Sequence, residues 1–484
     1  MHKWDIIKDL KVEKLVFWWK WFSRLEDWKV VFITWWVVPE SIVDVKILKK
    51  RKDFFETQVV NLVKKSPIEK NHPNNPFWEC GGCKWVNIPY EEQLKIKENQ
   101  VKESLFHLSR LQKDIEILPI IPSPLVDWYR NKVEFSFWKY ISNKNWIEEH
   151  FNVWFHRQWS FSQIQDFDWC ILTDKLVNDV YKEIKDFCKN TWLPVYDSKN
   201  QDWFFRHILI RRSFFTDELM IILWYNPEYL ETPLASLPPQ LRGTEGEQKL
   251  QDLENFLKNI AWKYSEIKSI YFSINNSKAD IAIWDLKLIY WEKYITEKLL
   301  WLTFKISPKS FFQTNSYWAE KLYSKVLELA HRENLEKYTV LDLYAWTWTI
   351  WMIFAKNKAK EVWSVELVEQ ASKDWEENAK LNSIENMVFV NKKVEDFLWD
   401  YIWEWKKADL LIIDPPRSWM HPDALPNILK FETKQIIYVS CNPSTLSRDL
   451  DYLLRNSDYK IEKIVPVDMF PHTHHIETIV SLVR

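Results

Sequence analysis

The chain has 484 residues, of which 28% are charged and 46% apolar, and its formal net charge is −2. This length exceeds one ordinary core, so we expect two to four domains in a soluble globular protein. The charge excludes a uniformly basic nucleic-acid binder, and no apolar run reaches the ~18 residues of a membrane span. The start lacks a signal-peptide pattern, which predicts a cytoplasmic protein. Five cysteines then indicate ligands, nucleophiles or buried apolar residues rather than disulfides.

The sequence contains 32 Trp but only 4 Gly. Ordinary usage of about 7% would give roughly 34 Gly in a chain this long. Many Trp stand where a turn is expected, as at Trp28, Trp35 and Trp36. Turns that need a positive φ favour glycine, which adopts this conformation without steric cost. We hypothesise that the gene reads UGA as glycine, so that many of these Trp are Gly in the native protein. Trp85 is the best candidate for a genuine Trp, and a truly Trp-rich protein is the alternative.

Residues 1–65 read as short β-segments with breaks at Trp18–Trp21, Trp28 and Trp35–Trp36. Such spacing predicts a small closed β-barrel. With glycine at the breaks, the stretch resembles the TRAM domain, an RNA-binding, OB-like barrel. Residues 46–70 hold eight Lys or Arg against three acidic residues, which indicates either a phosphate-binding patch or a solvated face.

The rest of the chain divides into two further predicted domains. Residues 66–300 mix a cysteine-bearing loop with strand-like runs at 132–138, 207–215 and 218–224, which favours an α+β central domain. The Pro-rich residues 226–247 predict a loop or linker. Residues 301–484 alternate amphipathic helical segments with buried strands, and this order predicts an α/β fold, a Rossmann-like doubly wound parallel sheet.

A cofactor site is predicted after the first strand of that sheet, residues 339–344. The strand runs into residues 345–351 (AWTWTIW), which become a glycine-rich turn when 346, 348 and 351 are Gly. Glu366 ends the next strand about 20 residues on, where an acidic side chain accepts hydrogen bonds from ribose hydroxyls. Nucleotide-dependent dehydrogenases share this pattern, so it does not identify the cofactor by itself.

Two further motifs follow buried strands and predict the chemistry. They are residues 414–417 (DPPR) and 440–443 (SCNP), both at carboxyl ends of strands, where open α/β sheets bind ligands. Cys441 suits methylation of a carbon, because a thiolate that adds to a pyrimidine ring activates the neighbouring carbon. A helix beginning near Ser444 would favour its thiolate. The alternative is an inert buried cysteine. Arg417 disfavours amine methylation, in which an aromatic residue usually follows the prolines.

These motifs, together with residues 129–135 (YRNKVEF), 312–315 (FQTN) and 468–478 (DMFPHTHHIET), resemble the RNA uracil-C5 methyltransferase family, most closely its 23S ribosomal RNA branch. The resemblance implies transfer of a methyl group from S-adenosylmethionine to C5 of an unstacked uridine in RNA, without an obligate protein partner or a membrane. It implies Cys441 as the nucleophile and Glu477 as the base. Its implied cofactor contacts are Gln313, Tyr344, Glu366 and Asp414. A transfer RNA substrate and a non-catalytic RNA-binding protein on the same scaffold are the alternatives.

The resemblance also bears on the cysteine loop. Cys80, Cys83 and Cys170 match three of four positions that bind a [4Fe–4S] cluster in relatives, and Asn74 stands at the fourth. A zinc ion with His72 as fourth ligand and a metal-free loop are the alternatives. Cys188 is expected to pack on a helix face.

Overall fold

The computed structural model describes the chain apart from the following residues: 17–19, 26, 35–36, 71–79, 109–114, 142–148, 158–159, 229–244, 277–284, 331, 346–348, 368, 404–406, 416–419 and 421–423. Predictions made for Trp18, Trp19, Trp35, Trp36, His72, Asn74, Trp346, Trp348 and Arg417 therefore lie outside the described residues.

The strands, in chain order, are β1 (Ile6–Lys11), β2 (Lys14–Val16), β3 (Lys20–Arg24), β4 (Val30–Thr34), β5 (Ile42–Lys50), β6 (Phe54–Lys64), β7 (Lys132–Ile141), β8 (Glu149–Trp154), β9 (His156–Arg157), β10 (Ser160–Ile164), β11 (Phe205–Arg212), β12 (Leu219–Tyr225), β13 (Ile267–Ile274), β14 (Asp285–Trp291), β15 (Ile295–Leu299), β16 (Leu302–Ile306), β17 (Thr339–Leu343), β18 (Glu361–Glu366), β19 (Met387–Asn391), β20 (Leu410–Ile413), β21 (Gln435–Ser440), β22 (Lys460–Val467) and β23 (Glu477–Val483). The α-helices are α1 (Tyr90–Leu108), α2 (Lys175–Asn190), α3 (Glu245–Lys263), α4 (Ser316–Leu329), α5 (Thr349–Lys356), α6 (Glu369–Leu381), α7 (Val394–Trp403), α8 (Ala424–Lys430) and α9 (Pro443–Arg455). In the part of the chain that is described, no helix combines the length and the apolar character needed to cross a lipid bilayer.

The first sheet is curled and is compatible with the barrel-like domain that the sequence predicted; its edge strands β1 and β2 are not paired with each other among the described residues. Its six strands follow the order β1-β5-β6-β4-β3-β2 and curl around a core that includes Val31, Ile33 and Val45. Along β5 every second side chain is buried, which is the pattern of a strand with one face on a core. The break predicted at Trp18–Trp21 is wrong for Trp21, which lies buried inside β3.

The central sheet has the order β14-β13-β12-β11-β7-β8, and α2 and α3 pack against it. All residues of β11 and β12 are buried; β12 is apolar throughout, whereas β11 also buries Arg206, His207, Arg211 and Arg212. Most of the Pro-rich segment 226–247 lies outside the described residues, but residues 245–247 belong to α3, so the predicted loop was drawn too long. Cys188 is fully buried on α2, which confirms its packing role.

The third sheet is the predicted doubly wound α/β sheet, with the order β19-β18-β17-β20-β21-β23-β22. Strands β17 to β21 run parallel, and β23 and β22 complete the sheet antiparallel. The strand order reverses between β17 and β20. In open α/β sheets, ligands bind in the crevice at this switch point, outside the carboxyl ends of the strands.

Helix α1 connects the barrel-like sheet to the third sheet. Its Val101 and Leu105 join the core on one face of that sheet, and its Ser104 carbonyl accepts a 2.8 Å hydrogen bond from Ser447 of α9. At another position on the helix, Gln100 donates to the Leu15 carbonyl of β2 at 3.1 Å. The helix thus packs on both units.

The backbone conformation of several tryptophans bears on the glycine hypothesis. Among the described tryptophans, five have positive φ, namely Trp4 (81°), Trp28 (65°), Trp128 (57°), Trp192 (61°) and Trp291 (48°). Each of these five side chains is also more than half exposed. The left-handed region and exposure to water are both unfavourable for an indole and cost glycine nothing. Trp85 is buried instead. These features support glycine at the five positions, and the hypothesis stays a prediction.

In protein made with the sequence as given, Trp192→Gly is expected to raise the free energy of unfolding by about 1–2 kcal/mol, because a left-handed residue other than glycine costs this much. The control Trp85→Gly should lower it, by an amount on the order of the 3–5 kcal/mol that truncating a buried Trp costs. Urea denaturation measures both changes. Peptide sequencing of the native protein should then find Gly at 28 and 192 and Trp at 85, and Trp at all three positions would contradict the hypothesis.

Candidate active site

The carboxyl ends of four parallel strands meet at one edge of the third sheet, and each leads into a residue that the sequence singled out. Tyr344 follows β17, Glu366 ends β18, Asp414 follows β20 and Cys441 follows β21. The strand register confirms that β17, β18 and β20 end together, since Leu343 of β17 pairs with residues 365 and 413. The sheet therefore gathers these four residues along a single edge.

Strand β23 brings a fifth residue to the same edge. It pairs antiparallel with β21, with Ser440 opposite Thr478. The residue after Ser440 is Cys441 and the residue before Thr478 is Glu477, so these two residues lie one step beyond the last pair of the two strands. Opposite residues in antiparallel strands have Cβ atoms about 4.5–5.5 Å apart. Cys441 is partly buried and Glu477 is 9% exposed. The register thus brings the backbone of Cys441 close to that of Glu477.

Helix α9 begins directly after Cys441, close to the predicted start at Ser444. Asn442 is the N-cap, and its side-chain oxygen accepts from the backbone nitrogens of Ser444 (3.0 Å) and Thr445 (3.3 Å). Pro443 occupies the first turn, where its missing N–H costs nothing. The positive end of the helix dipole therefore lies beside the thiol and favours a negative charge there.

Three carboxyl groups come close together at the switch point. Asp342, in the middle of β17, is 2% exposed, and its Oδ1 has no hydrogen-bond partner among the described residues. Burial raises its pKa well above the usual range, and the negative charges of Asp414 and Glu366 raise it further. Asp342 belongs to no motif in the sequence; its one signal there is an acidic residue inside the otherwise apolar end of a strand.

Tyr344 occupies the turn that leaves β17. Its φ is 62°, in the left-handed region, and its hydroxyl donates to Glu395 of α7 at 3.4 Å. Residues 346–348 of this turn lie outside the described residues. Trp351 lies within α5 and is fully buried, with its ring against Trp375 and Phe389. The identity of residue 351 as Gly therefore stays a prediction.

Gln313 lies in the segment 312–315, which is hydrogen-bonded to Asn131 on one side and to Met469 on the other. Its carbonyl accepts a 2.8 Å hydrogen bond from Asn131, which belongs to the motif 129–135 (YRNKVEF) that contributes to the family resemblance. Two residues on, Asn315 caps α4 and donates to the carbonyl of Met469 at 2.9 Å, in the segment that leads to Glu477. These contacts bring residues 312–315 next to the edge that carries Cys441 and Glu477.

The cysteine loop lies in the core of the central sheet. A Cβ atom on Gly81 would be 2.4 Å from the carbonyl oxygen of residue 156, so only glycine fits there. The Cys80 sulfur accepts hydrogen bonds from Cys83, which lower the pKa of Cys80, and from the Trp154 indole at 3.3 Å. Burial, followed by the charge of Cys80, raises the pKa of Cys170 to about 12. The three predicted cysteines are therefore neighbours.

The described residues fall short of a metal site. Within them, no group of three or more Cys, His, Asp or Glu side chains is arranged to hold a metal ion, and the position of the fourth predicted ligand, Asn74, is not among them. The indole N–H of Trp154 and the thiol of Cys83 already occupy the Cys80 sulfur. The iron–sulfur cluster therefore stays a prediction from the resemblance, and iron and sulfide assay of anaerobically purified protein would test it.

Comparisons with known proteins find similarity to RNA methyltransferases. Residues 284–484 match the family model described as tRNA (Uracil-5-)-methyltransferase. An uncharacterized RNA methyltransferase of Porphyromonas gingivalis is 34% identical over 95% of this chain and 96% of its own length. One of Caldanaerobacter subterraneus is 35% identical over 90% of each chain. The crystal structure of Pyrococcus abyssi tRNA (uracil-54, C5)-methyltransferase with S-adenosyl-L-homocysteine aligns with a TM-score of 0.72 and 26% identity, over 98% of this chain and 99% of that one.

Asp342 generates a prediction about pH. Its raised pKa means that the folded state favours the protonated carboxyl, so its contribution to stability is complete at pH values below the pKa of unfolded Asp. That contribution is lost as the pH rises through the raised value. The Asn side chain of Asp342→Asn stays neutral at every pH. Near neutral pH the variant should therefore unfold at a higher urea concentration than the parent protein, and its free energy of unfolding should fall less as the pH rises. The control Asp400→Asn, at an exposed position on α7, should change neither. An unaltered pH profile in Asp342→Asn would contradict the prediction.

Proposed function

The chain belongs to the family of RNA (uracil-5-)-methyltransferases, enzymes that use S-adenosylmethionine, and we propose that it methylates C5 of a uridine in ribosomal RNA through a covalent adduct with Cys441. The observation that supports the proposal is the pairing of β21 with β23, in which the residues next to Cys441 and Glu477 are paired at the carboxyl-terminal edge of the parallel strands. A nucleophile and a base on adjacent strands are what the reaction requires.

The proposed reaction assigns one role to each of these two residues. The Cys441 thiolate adds to C6 of the uracil ring, which forms an S–C6 bond and moves electron density to C5. S-Adenosylmethionine supplies the methyl group, which C5 takes as the methyl–sulfur bond breaks. The Glu477 carboxylate then removes the proton from C5. The electrons of the C5–H bond restore the ring double bond as the S–C6 bond breaks, so the thiolate is regenerated.

We assign the cofactor to the switch point between β17 and β20. Glu366 would accept hydrogen bonds from the ribose hydroxyls, and Gln313, Tyr344 and Asp414 would complete the contacts. The carboxylates of Glu366 and Asp414, whose negative charges raise the pKa of Asp342, support this assignment, because a sulfonium cation is bound well by nearby negative charge. The same charges repel a purely anionic ligand.

The RNA substrate must present its uridine unstacked, because the thiol and the methyl donor need opposite faces of the ring. The barrel-like sheet supports RNA binding, since the exposed Lys49, Lys50, Arg51 and Lys52 follow one another at the end of β5. We propose that the protein acts in the cytoplasm, on a single-stranded or loop segment whose flanking phosphates contact this basic stretch.

A transfer RNA is the second candidate substrate. The Pyrococcus abyssi protein, named a tRNA (uracil-54, C5)-methyltransferase, matches 98% of this chain, so the N-terminal sheet does not by itself separate the two kinds of RNA. Ribosomal RNA is favoured by the motifs shared with the ribosomal RNA branch of the family.

The covalent route predicts that substitutions of Cys441 and Glu477 both reduce methyl transfer but differ in whether a protein–RNA adduct accumulates. Cys441→Ala should abolish transfer of a labelled methyl group to RNA, because no other group activates C5. Glu477→Gln should slow turnover by about 10²–10⁴-fold, as expected for loss of a general base, and should accumulate a covalent protein–RNA adduct on denaturing gels. Cys188→Ala, a buried cysteine of the central core, is the matched control and should retain turnover. Retained turnover in Cys441→Ala would rule out the route.

The substrate is tested with the same labelled cofactor. We expect methyl incorporation into 23S ribosomal RNA transcripts and not into transfer RNA, with nucleoside analysis identifying 5-methyluridine. Incorporation into transfer RNA alone would establish the second candidate in place of the first.

A further inference from the structure

The connection between β22 and β23, residues 468–476, is unusually buried for a loop. Asp468, Met469 and Ile476 have no exposed surface, and His472 and Thr473 are below 10% exposed. Loops generally run over the surface because buried backbone polar groups require partners. We call this connection the base loop, because Glu477 is the residue that follows it and pairs with Val467, the residue that precedes it.

The base loop obtains its backbone partners from separate parts of the chain. The carbonyl of Met469 accepts from Asn315 (2.9 Å), that of Phe470 from Lys97 (3.0 Å), that of Pro471 from the Tyr129 hydroxyl (2.9 Å) and that of His472 from the Trp85 nitrogen (2.9 Å). Four successive carbonyl groups are therefore fixed by side chains or loops outside the third sheet.

Helix α1 supplies the most deeply buried of these contacts. The Lys97 ammonium group lies 2.6 Å from Asp468, and both side chains have no exposed surface. One helical turn earlier, Gln93 accepts from the His472 backbone nitrogen at 2.7 Å. The amide nitrogen of Gln93 also lies 3.2 Å from Nδ1 of His472. Two residues spaced by four positions on one helix thus hold both halves of the base loop.

His472 is the point at which these contacts converge. Its φ of 62° is a left-handed conformation that costs a residue other than glycine free energy. Its backbone nitrogen is bound by Gln93, its carbonyl by Trp85, and its Nε2 lies 2.7 Å from Asp127. Such a conformation persists where the surroundings fix it from several sides, and it is commonly found at functional sites.

We propose that Gln93, Lys97 and Asp127 are positioning residues for proton removal, because they hold the base loop so that Glu477 reaches the C5 proton of the adduct. The inference rests on the proposed function and adds to it the parts of the chain that orient the base. None of the three is assigned a contact with the substrate. A misplacement of about 1 Å in a reacting group can cost about 10²-fold in rate, so loss of these contacts should be felt at the step that uses Glu477.

The test separates the two halves of the reaction. An RNA carrying tritium at C5 of the target uridine reports proton removal as release of tritium, and a denaturing gel reports formation of the adduct. Gln93→Leu and Asp127→Asn should release tritium about 10–100-fold more slowly while the adduct forms at the normal rate and accumulates. Lys97→Met should also slow tritium release without slowing adduct formation. If this variant does not fold, Gln93→Leu and Asp127→Asn are sufficient for the test.

Matched controls come from the same helix. Gln100→Leu removes another buried amide of α1, one that contacts Leu15 instead of the base loop, and Lys95→Met removes an exposed cation paired with Glu92. Both should leave the ratio of tritium release to adduct formation unchanged. A conservative variant, Gln93→Glu, keeps the oxygen that accepts from His472 and should recover part of the release rate.

The outcomes distinguish the positioning role from the function it serves. Equal slowing of adduct formation and tritium release in Gln93→Leu and Asp127→Asn would reduce their role to general stability and overturn the proposal. Normal release in both, alongside a trapped adduct in Glu477→Gln, would also overturn it while leaving the covalent route intact. Turnover retained by Cys441→Ala would instead remove the route itself.

Discussion

The backbone register between β21 and β23 is the constraint on which the site depends. A shift by one residue would turn every side chain of β23 to the opposite face and move Glu477 away from Cys441. The register is secured by packing on both faces of the sheet, because Val480 and Leu482 of β23 belong to the core on one face and Ile479 to the core on the other. A one-residue shift would exchange these side chains between the two cores. The same packing that forms the sheet therefore also sets how closely Cys441 and Glu477 approach each other.

A second constraint is polar and lies at the same end of β23, where helix α1 holds the base loop that precedes Glu477. The face of α1 that is hidden from water carries Gln93, Lys97, Gln100 and Ser104, all of them buried. Unpaired, such groups would be costly, so each must meet a specific partner, and a shifted helix would leave several without one. Buried polar contacts of this kind contribute less to overall stability than apolar packing does, and they select one arrangement among several.

The sequence was sufficient for the parts of the fold in which pattern and burial agree. Buried apolar runs followed by polar motifs predicted the edge at which Tyr344, Glu366, Asp414 and Cys441 gather, because parallel strands end on a common side. It was insufficient where a local pattern has two meanings. The polar stripe of α1 has the spacing of a solvent-facing helix surface, and only contacts more than 370 residues away in the chain reveal it as buried.

Two smaller differences between the prediction and the structure, at Trp21 and Asp342, also arise from contacts with residues distant in sequence. Trp21 was expected in a turn because neighbouring Trp suggested one, yet pairing with β4 extends β3 through this residue. Asp342 escaped attention because an acidic residue inside an apolar strand matches no local motif, and its environment is set by residues on two neighbouring strands. In both cases the deciding neighbours are distant in sequence.

The position of β23 has a consequence for how the molecule is made. In chain order it follows β22, but in the sheet it lies between β21 and β22. During synthesis from the N-terminus, β22 has no neighbour in the sheet and β21 has only β20 until residues 477–483 have left the ribosome. Cys441 is therefore translated before Glu477, and the sheet edge that carries both stays incomplete in a nascent chain whose N-terminal sheet has already been made.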